Sequence, residues 1–289
     1  MDRVDRYQPR NNDDPTVPVL RAFDTHLPAD GRENFLRCLR SLETDQQLHD
    51  DAESLINGLL APMRTLRSSG EPLARESRPS EECLKRDGYK CVITGEFDLS
   101  SPNLKVGIRR ALTECAHIIP FSLGTWKDEK DRKAKDIIWA NLVHMFLSLE
   151  TINFAQENIN DTRNAITLVG ELHKCFGYFD FAFEGTKRPN EYKVVSYVPD
   201  LGRLADRPKT VTSVCHDPQY GLPSPELLEV HATLARIFHA SGGLGEHIDQ
   251  AFEDLREHHM LATDGSSDIS SMLATSSLGV LGSHAGNIE

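Results

Sequence analysis

Apolar residues Phe35, Leu36, Leu39, Leu42, Leu48, Ala52, Leu55, Ile56, Leu59 and Leu60 recur at steps of three and four, which predicts two amphipathic helices between residues 32 and 66. The same period runs through residues 136–149 (DIIWANLVHMFLSL). It returns over residues 223–261, where Ser224 as N-cap, Pro225 at the first position and a Gly242-Gly243 break predict a helical pair. Strand-like runs lie between these segments. Residues 89–94, 111–119 (stopped by Pro120) and 165–169 read as strands, and 178–184 with 192–198 read as a hairpin around the turn GTKRPN.

The resulting expectation is an α+β chain with flanking helices at both ends. Its organisation reads as a disordered arm over residues 1–30, a helical hairpin over 31–66 and a linker over 67–80. A central domain over 81–200, a connection over 201–222, a helical pair over 223–262 and a disordered tail over 263–289 follow. Adjacent histidines point to different helix faces, so Glu257-His258-His259 reads as a solvated helix end. His144 reads as an ordinary helix residue.

Composition narrows the function classes. At 39% hydrophobic and 26% charged, the 289 residues suit a globular protein. There is no apolar run of about 18 residues, and the start MDRVDRYQPRNNDDP has no apolar leader character. An intracellular protein of nucleus or cytoplasm with no membrane partner is expected. The six cysteines are scattered without a CxxC pair, which points to reduced thiols rather than a disulfide framework or a four-cysteine zinc site. The net charge of −12 argues against an extended polyanion-binding surface. However, acidic residues exceed basic ones by 16 to 11 over 1–82 and by 12 to 5 over 201–289, whereas 83–200 balances at 16 and 16. A local basic surface in the centre is compatible with that balance.

Three chemistry-bearing residues stand in the central domain. His117 in ECAHIIP closes an apolar strand, Asn164 lies in NDTRNAITL, and His173 in ELHKCFG follows nine positions later. An imidazole titrates near neutrality and serves as a general base when its second nitrogen is held, a bond that an Asn carbonyl could supply. Alternation along the strand puts Cys115 and His117 on one face, with Glu114 and Ala116 on the other. Residues two apart on a short strand do not readily form a nucleophile–base hydrogen bond, so Cys115 is set aside as a nucleophile.

Residues 84–197, with LKRDGYKCVITG, ECAHIIPFSLG, INDTRNAITLVGELHKCFG and FDFAFE in that order, resemble the HNH endonuclease domain found in many fungal proteins of uncharacterised role. The resemblance implies a ββα-metal core, here with a long helical insertion, since 46 residues separate His117 from Asn164. The inserted helix is expected to pack over or beside the site. By the same resemblance His117 is the general base, Asn164 fixes the loop or orients the base, and His173 helps hold a divalent ion. Mg²⁺ or Mn²⁺ stands ahead of Zn²⁺ or Ni²⁺, and the substrate is nucleic acid, DNA ahead of RNA.

One position departs from the better-known pattern: Ala116 stands where an Asp directly before the first His binds the metal. Hard cations favour carboxylate oxygen, so a replacement is needed. Glu114, one pleat away, is the first candidate, because family members with an AHI motif often keep an acidic residue there; Asp161, in the turn before Asn164, is the second. Two function classes follow: an active metal-dependent endonuclease, or a catalytically inactive HNH-fold protein that binds or regulates. The flanking helices offer a surface for a homodimer or a protein partner.

Overall fold

The computed structural model describes residues 1–68, 77–102, 106–126, 128–199 and 209–257. Parts of the expected linker and connection, together with His258, His259 and the tail, lie outside the described residues. In chain order the helices are α1 (Asp2–Asp5), α2 (Thr16–His26), α3 (Ala29–Arg40), α4 (Asp45–Leu55), a π turn (Ile56–Leu60), α5 (Ala61–Ser68) and α6 (Ser77–Arg86). Next come β1 (Phe97–Asp98), β2 (Arg110–Ala111), β3 (Thr113–His117), α7 (Glu129–Met145), α8 (Ser148–Thr151), β4 (Ala165–Val169) and α9 (Gly170–Gly177). The chain closes with β5 (Phe181–Gly185), β6 (Glu191–Ser196), β7 (Thr210–Thr212), α10 (Pro225–Ala240) and α11 (Leu244–Glu257).

These elements divide into two units. The first comprises Met1–Glu71, Thr125–Thr151 and Arg236–Glu289, and the second Pro72–Gly124 and Ile152–Ala235. The first is helical. Its core gathers Val19, Leu20 and Phe23 of α2, Phe35 and Leu39 of α3, Leu48 and Leu55 of α4, and Leu142 and Met145 of α7, all buried. Thr44 and Gln47 form a reciprocal capping box at the start of α4. Arg64 of α5 forks onto Asp249 of α11 with bonds of 2.7 and 2.6 Å.

One expectation fails in this unit. Residues 1–30 are not a disordered arm. Asp14 accepts hydrogen bonds from the Tyr7 hydroxyl (2.6 Å) and from the Arg10 and Thr16 amides (2.8 and 3.0 Å), so the polar residues that obscure the apolar period act as anchors that seat α2. The inserted helix α7 belongs to this helical unit, because its apolar stripe of Ile138, Trp139, Leu142 and Met145 is buried against helices. Its start is fixed by Asp128, whose side chain accepts from the Asp131 amide.

The second unit carries three small sheets. β1 and β2 are parallel, β3 and β4 antiparallel, and β5, β6 and β7 form an antiparallel three-stranded sheet. Phe176, Phe179, Phe181 and Phe183 fill the core. The buried ring of His231 from α10 stacks on Phe176 at 3.8 Å, and its Nε2 meets the Phe176 carbonyl at 2.9 Å. The run 89–94, read as a strand, is a turn with one bridge, Lys90 to Phe97. Tyr89 (φ 58°), Gly88 (φ 63°) and Gly95 (φ 67°) all take left-handed backbone, which an extended strand excludes.

Gly31 tests the packing of α7. A Cβ there would lie 1.9 Å from the Met145 backbone oxygen, and backbone cannot step aside as a side chain can. Gly31→Ala should therefore destabilise the helical unit by about 1–3 kcal/mol despite the better helix propensity of Ala. A thermal melt at or above the wild-type midpoint would show that α3 and α7 do not approach so closely.

Candidate active site

The site is mounted on two short strands and a helix. β3 and β4 pair in register from Thr113 opposite Val169 to His117 opposite Ala165, and α9 starts directly at the end of β4. Beside the strands lies α6, whose Cys83 Sγ receives a hydrogen bond from Cys115 Sγ at 3.3 Å. That bond and burial push the Cys115 thiol well above its ordinary pKa, so it stays protonated and is no nucleophile.

Arg86, at the end of α6, fixes how β4 begins. Its fully buried guanidinium forks onto Asp87 (2.6 and 2.7 Å) and donates to the carbonyls of Thr162 (2.5 Å), Ala165 (2.9 Å) and Gly221 (3.2 Å). Burial works against the charge, but the Asp87 carboxylate outweighs it and the pKa of Arg86 rises. Sequence reading missed this hub, since Arg-Asp-Gly at the end of a helix looks like an exposed turn.

Asn164 is fully buried. Its Oδ1 accepts from the Ile119 amide (2.8 Å), and its Nδ2 donates to the carbonyls of Ile119 (3.0 Å) and Ile159 (2.9 Å). The Ile118 amide bonds the Asn164 carbonyl at 2.8 Å. Asn164 thus clamps the chain where it leaves β3, immediately after His117. Of the two roles the resemblance offers, fixing the loop is the one these bonds fit, since Oδ1 is spent on Ile119. The half-buried ring of His117 lies 5.6 Å from that of Phe121.

His173, in the middle of α9, reaches back across β3. Its Nδ1 lies 2.6 Å from Glu114 Oε2, with the two side chains 35% and 33% exposed. Gly170 borders the carboxylate, since a Cβ there would be in ordinary contact with Glu114 Oε1 at 3.4 Å. Asp161 does a different job. It caps the short turn before β4 by accepting from the Arg163 amide (2.9 Å) and binds the Arg163 guanidinium at 2.7 Å. Burial opposes its ionisation, but the Arg163 bonds prevail and its pKa is lowered.

The structure therefore joins Glu114 to His173, joins Asn164 to the exit from His117, and ties Asp161 to Arg163. Among the described residues no three His, Cys, Asp or Glu side chains form a cation cage, so neither His117 nor Asp161 completes one with the Glu114–His173 pair. A half-exposed imidazole held by a carboxylate fits a divalent ion that keeps several of its waters, as Mg²⁺ commonly does.

Asn164→Ala removes three buried hydrogen bonds and strands the Ile119 amide. It should cost roughly 2–4 kcal/mol of stability in denaturant unfolding. Unchanged unfolding would mean that this clamp does not hold the end of β3.

One comparison with known proteins covers this region. Residues 91–184, which contain His117, Asn164, His173, Glu114 and Asp161, match the family model described as HNH endonuclease. No curated protein and no solved structure matches the chain. Residues 91–184 thus resemble the HNH endonuclease family, and the match covers less than half of the chain.

Proposed function

We propose that this chain is a divalent-metal-dependent endonuclease that hydrolyses phosphodiester bonds, with DNA as the substrate ahead of RNA. The observation that carries the reading is the 2.6 Å contact between His173 and Glu114 inside the HNH-matching segment. An imidazole whose Nδ1–H is held by a carboxylate keeps a fixed tautomer and offers Nε2 as a basic donor, the usual arrangement of a metal-bound histidine. His173 would then hold the ion. Glu114 would orient it, a role distinct from the direct metal ligation that an Asp at position 116 would supply.

A divalent ion, when bound, supplies neutralisation of the phosphate charge and a more acidic water. His117 serves as general base and takes the proton of the attacking water, which suits an imidazole working near neutral pH. Asn164 positions that base indirectly, because the Ile119 clamp sets where β3 ends.

A second reading, an HNH-fold protein that binds nucleic acid without turnover, is favoured by the lack of a three-donor cage among the described residues. Cleavage assays separate the two. Wild-type protein should nick duplex DNA in Mg²⁺ or Mn²⁺, with Zn²⁺ and Ni²⁺ as further arms. His117→Ala should lower the rate by about 10²–10⁴-fold with binding and melting temperature nearly unchanged. His173→Ala should lose rate and metal affinity together, so that excess metal partly restores it. If no ion supports hydrolysis that His117→Ala abolishes, the catalytic reading fails and the binding reading replaces it.

A further inference from the structure

The loop that enters β3 has a composition unlike the rest of the surface. Val106 is fully exposed, beside Gly107 with its left-handed φ of 91°, and Ile108, Leu112 and Leu99 are 38%, 57% and 56% exposed. Arg109 and Arg110 stand among them, both exposed. The parallel pairing of Phe97 with Arg110 and of Asp98 with Ala111, carried one step on, sets Leu99 beside Leu112. Exposed aliphatic side chains thus flank two exposed arginines along this stretch of chain.

Charge sets the two arginines apart. In this unit Arg86, Arg163 and Arg188 pair with Asp87, Asp161 and Glu191. Arg109 and Arg110 have no acidic partner among the described residues, in a chain whose net charge is −12. Arg110 reaches only the Ser101 carbonyl, at 3.5 Å, so both guanidiniums keep donors facing solvent.

The loop is also rigidly mounted next to the Glu114–His173 pair. Asp98 accepts the Thr113 amide (3.0 Å), the Thr113 hydroxyl (2.6 Å), the Ser100 amide (2.8 Å) and the Ser100 hydroxyl (2.6 Å), which fixes the start of β3. The Leu112 carbonyl accepts from the Gly170 amide at 3.3 Å, and Gly170 borders the Glu114 carboxylate. Glu114 lies four positions after Arg110, about 13 Å of extended chain. That is the span of a few nucleotides along one strand, at about 3.4 Å of helix axis each.

We propose that residues 106–112 are the contact surface for the sugar-phosphate backbone of duplex DNA. Arg109 and Arg110 bind phosphates, and Val106, Ile108 and Leu112 lie against the sugars between them. Neighbouring residues in extended chain alternate sides, so the two guanidiniums reach phosphates on either side of the loop. The inference rests on the nuclease reading for its choice of partner, but its test does not need cleavage.

The test is fluorescence anisotropy of a labelled duplex DNA titrated with full-length protein in EDTA over a series of salt concentrations. Arg109→Ala with Arg110→Ala should raise Kd about tenfold and reduce the slope of log K against log salt by about 1.8, at roughly 0.9 per phosphate contact. Ile108→Ser with Leu112→Ser should weaken binding and leave that slope unchanged. Arg188→Ala, at an ion-paired turn, should change neither. Because the altered side chains are exposed, circular dichroism melts should superimpose on wild type. An arginine double variant with wild-type Kd and slope overturns the proposal, as does a wild-type protein that binds no duplex, including one that instead captures an acidic protein through this loop. Loss of binding in the arginine variant alongside a wild type that cleaves with no ion would uphold the proposal while the catalytic reading fell.

Discussion

The buried guanidinium of Arg86 is the constraint on which the site-bearing unit depends. Removing a full charge from water carries a penalty of several kcal/mol, and it persists only where a counter-charge and hydrogen-bond acceptors surround it. Asp87 provides the first, and the carbonyls of Thr162, Ala165 and Gly221 provide the second. Asp87 also accepts the Thr167 amide at 3.2 Å, so one ion pair holds both the approach to β4 and its middle. Every group the charge needs is a backbone or side-chain group of the β4 neighbourhood, and the strand cannot shift without stranding the charge.

From that anchor the site follows by short-range geometry. β4 fixes β3 through a five-residue register, and the Asn164 clamp holds the chain just after His117, where β3 stops. At the opposite end of β3, Asp98 holds Thr113, and the first turn of α9 meets Glu114. His173 and Glu114 are therefore brought together by elements that are each held elsewhere. Such support is what lets a half-exposed pair keep one geometry.

The sequence was legible wherever period and local signals agree. The apolar stripes of α4 and α10, the strand 165–169, and Ser224-Pro225 at the head of a helix all correspond to elements of the structure. The order His117, Asn164, His173 gave the HNH resemblance, and Glu114 was marked, from its place one pleat from Ala116 and from that resemblance, as the carboxylate to replace the missing Asp. What stayed hidden depends on partners far away in the chain. Arg86 reads as a surface charge until Gly221, 135 residues on, is seen to accept its hydrogen bond. The membership of α7 in the helical unit is likewise absent from its own period, which says that one face is buried but not against what. Residues 10–16 look disordered because their polar side chains bond one another and Tyr7, a pattern no hydrophobic period reports.

The central claim is that the Glu114–His173 pair holds a divalent ion, and Mn²⁺ binding followed by electron paramagnetic resonance tests it without recourse to turnover. The account predicts one Mn²⁺ bound per chain in the wild type, strong weakening on His173→Ala, and an intermediate loss on Glu114→Gln, which keeps the shape but weakens the hold on Nδ1. Equal Mn²⁺ binding by wild type and His173→Ala, or none by either, would contradict it.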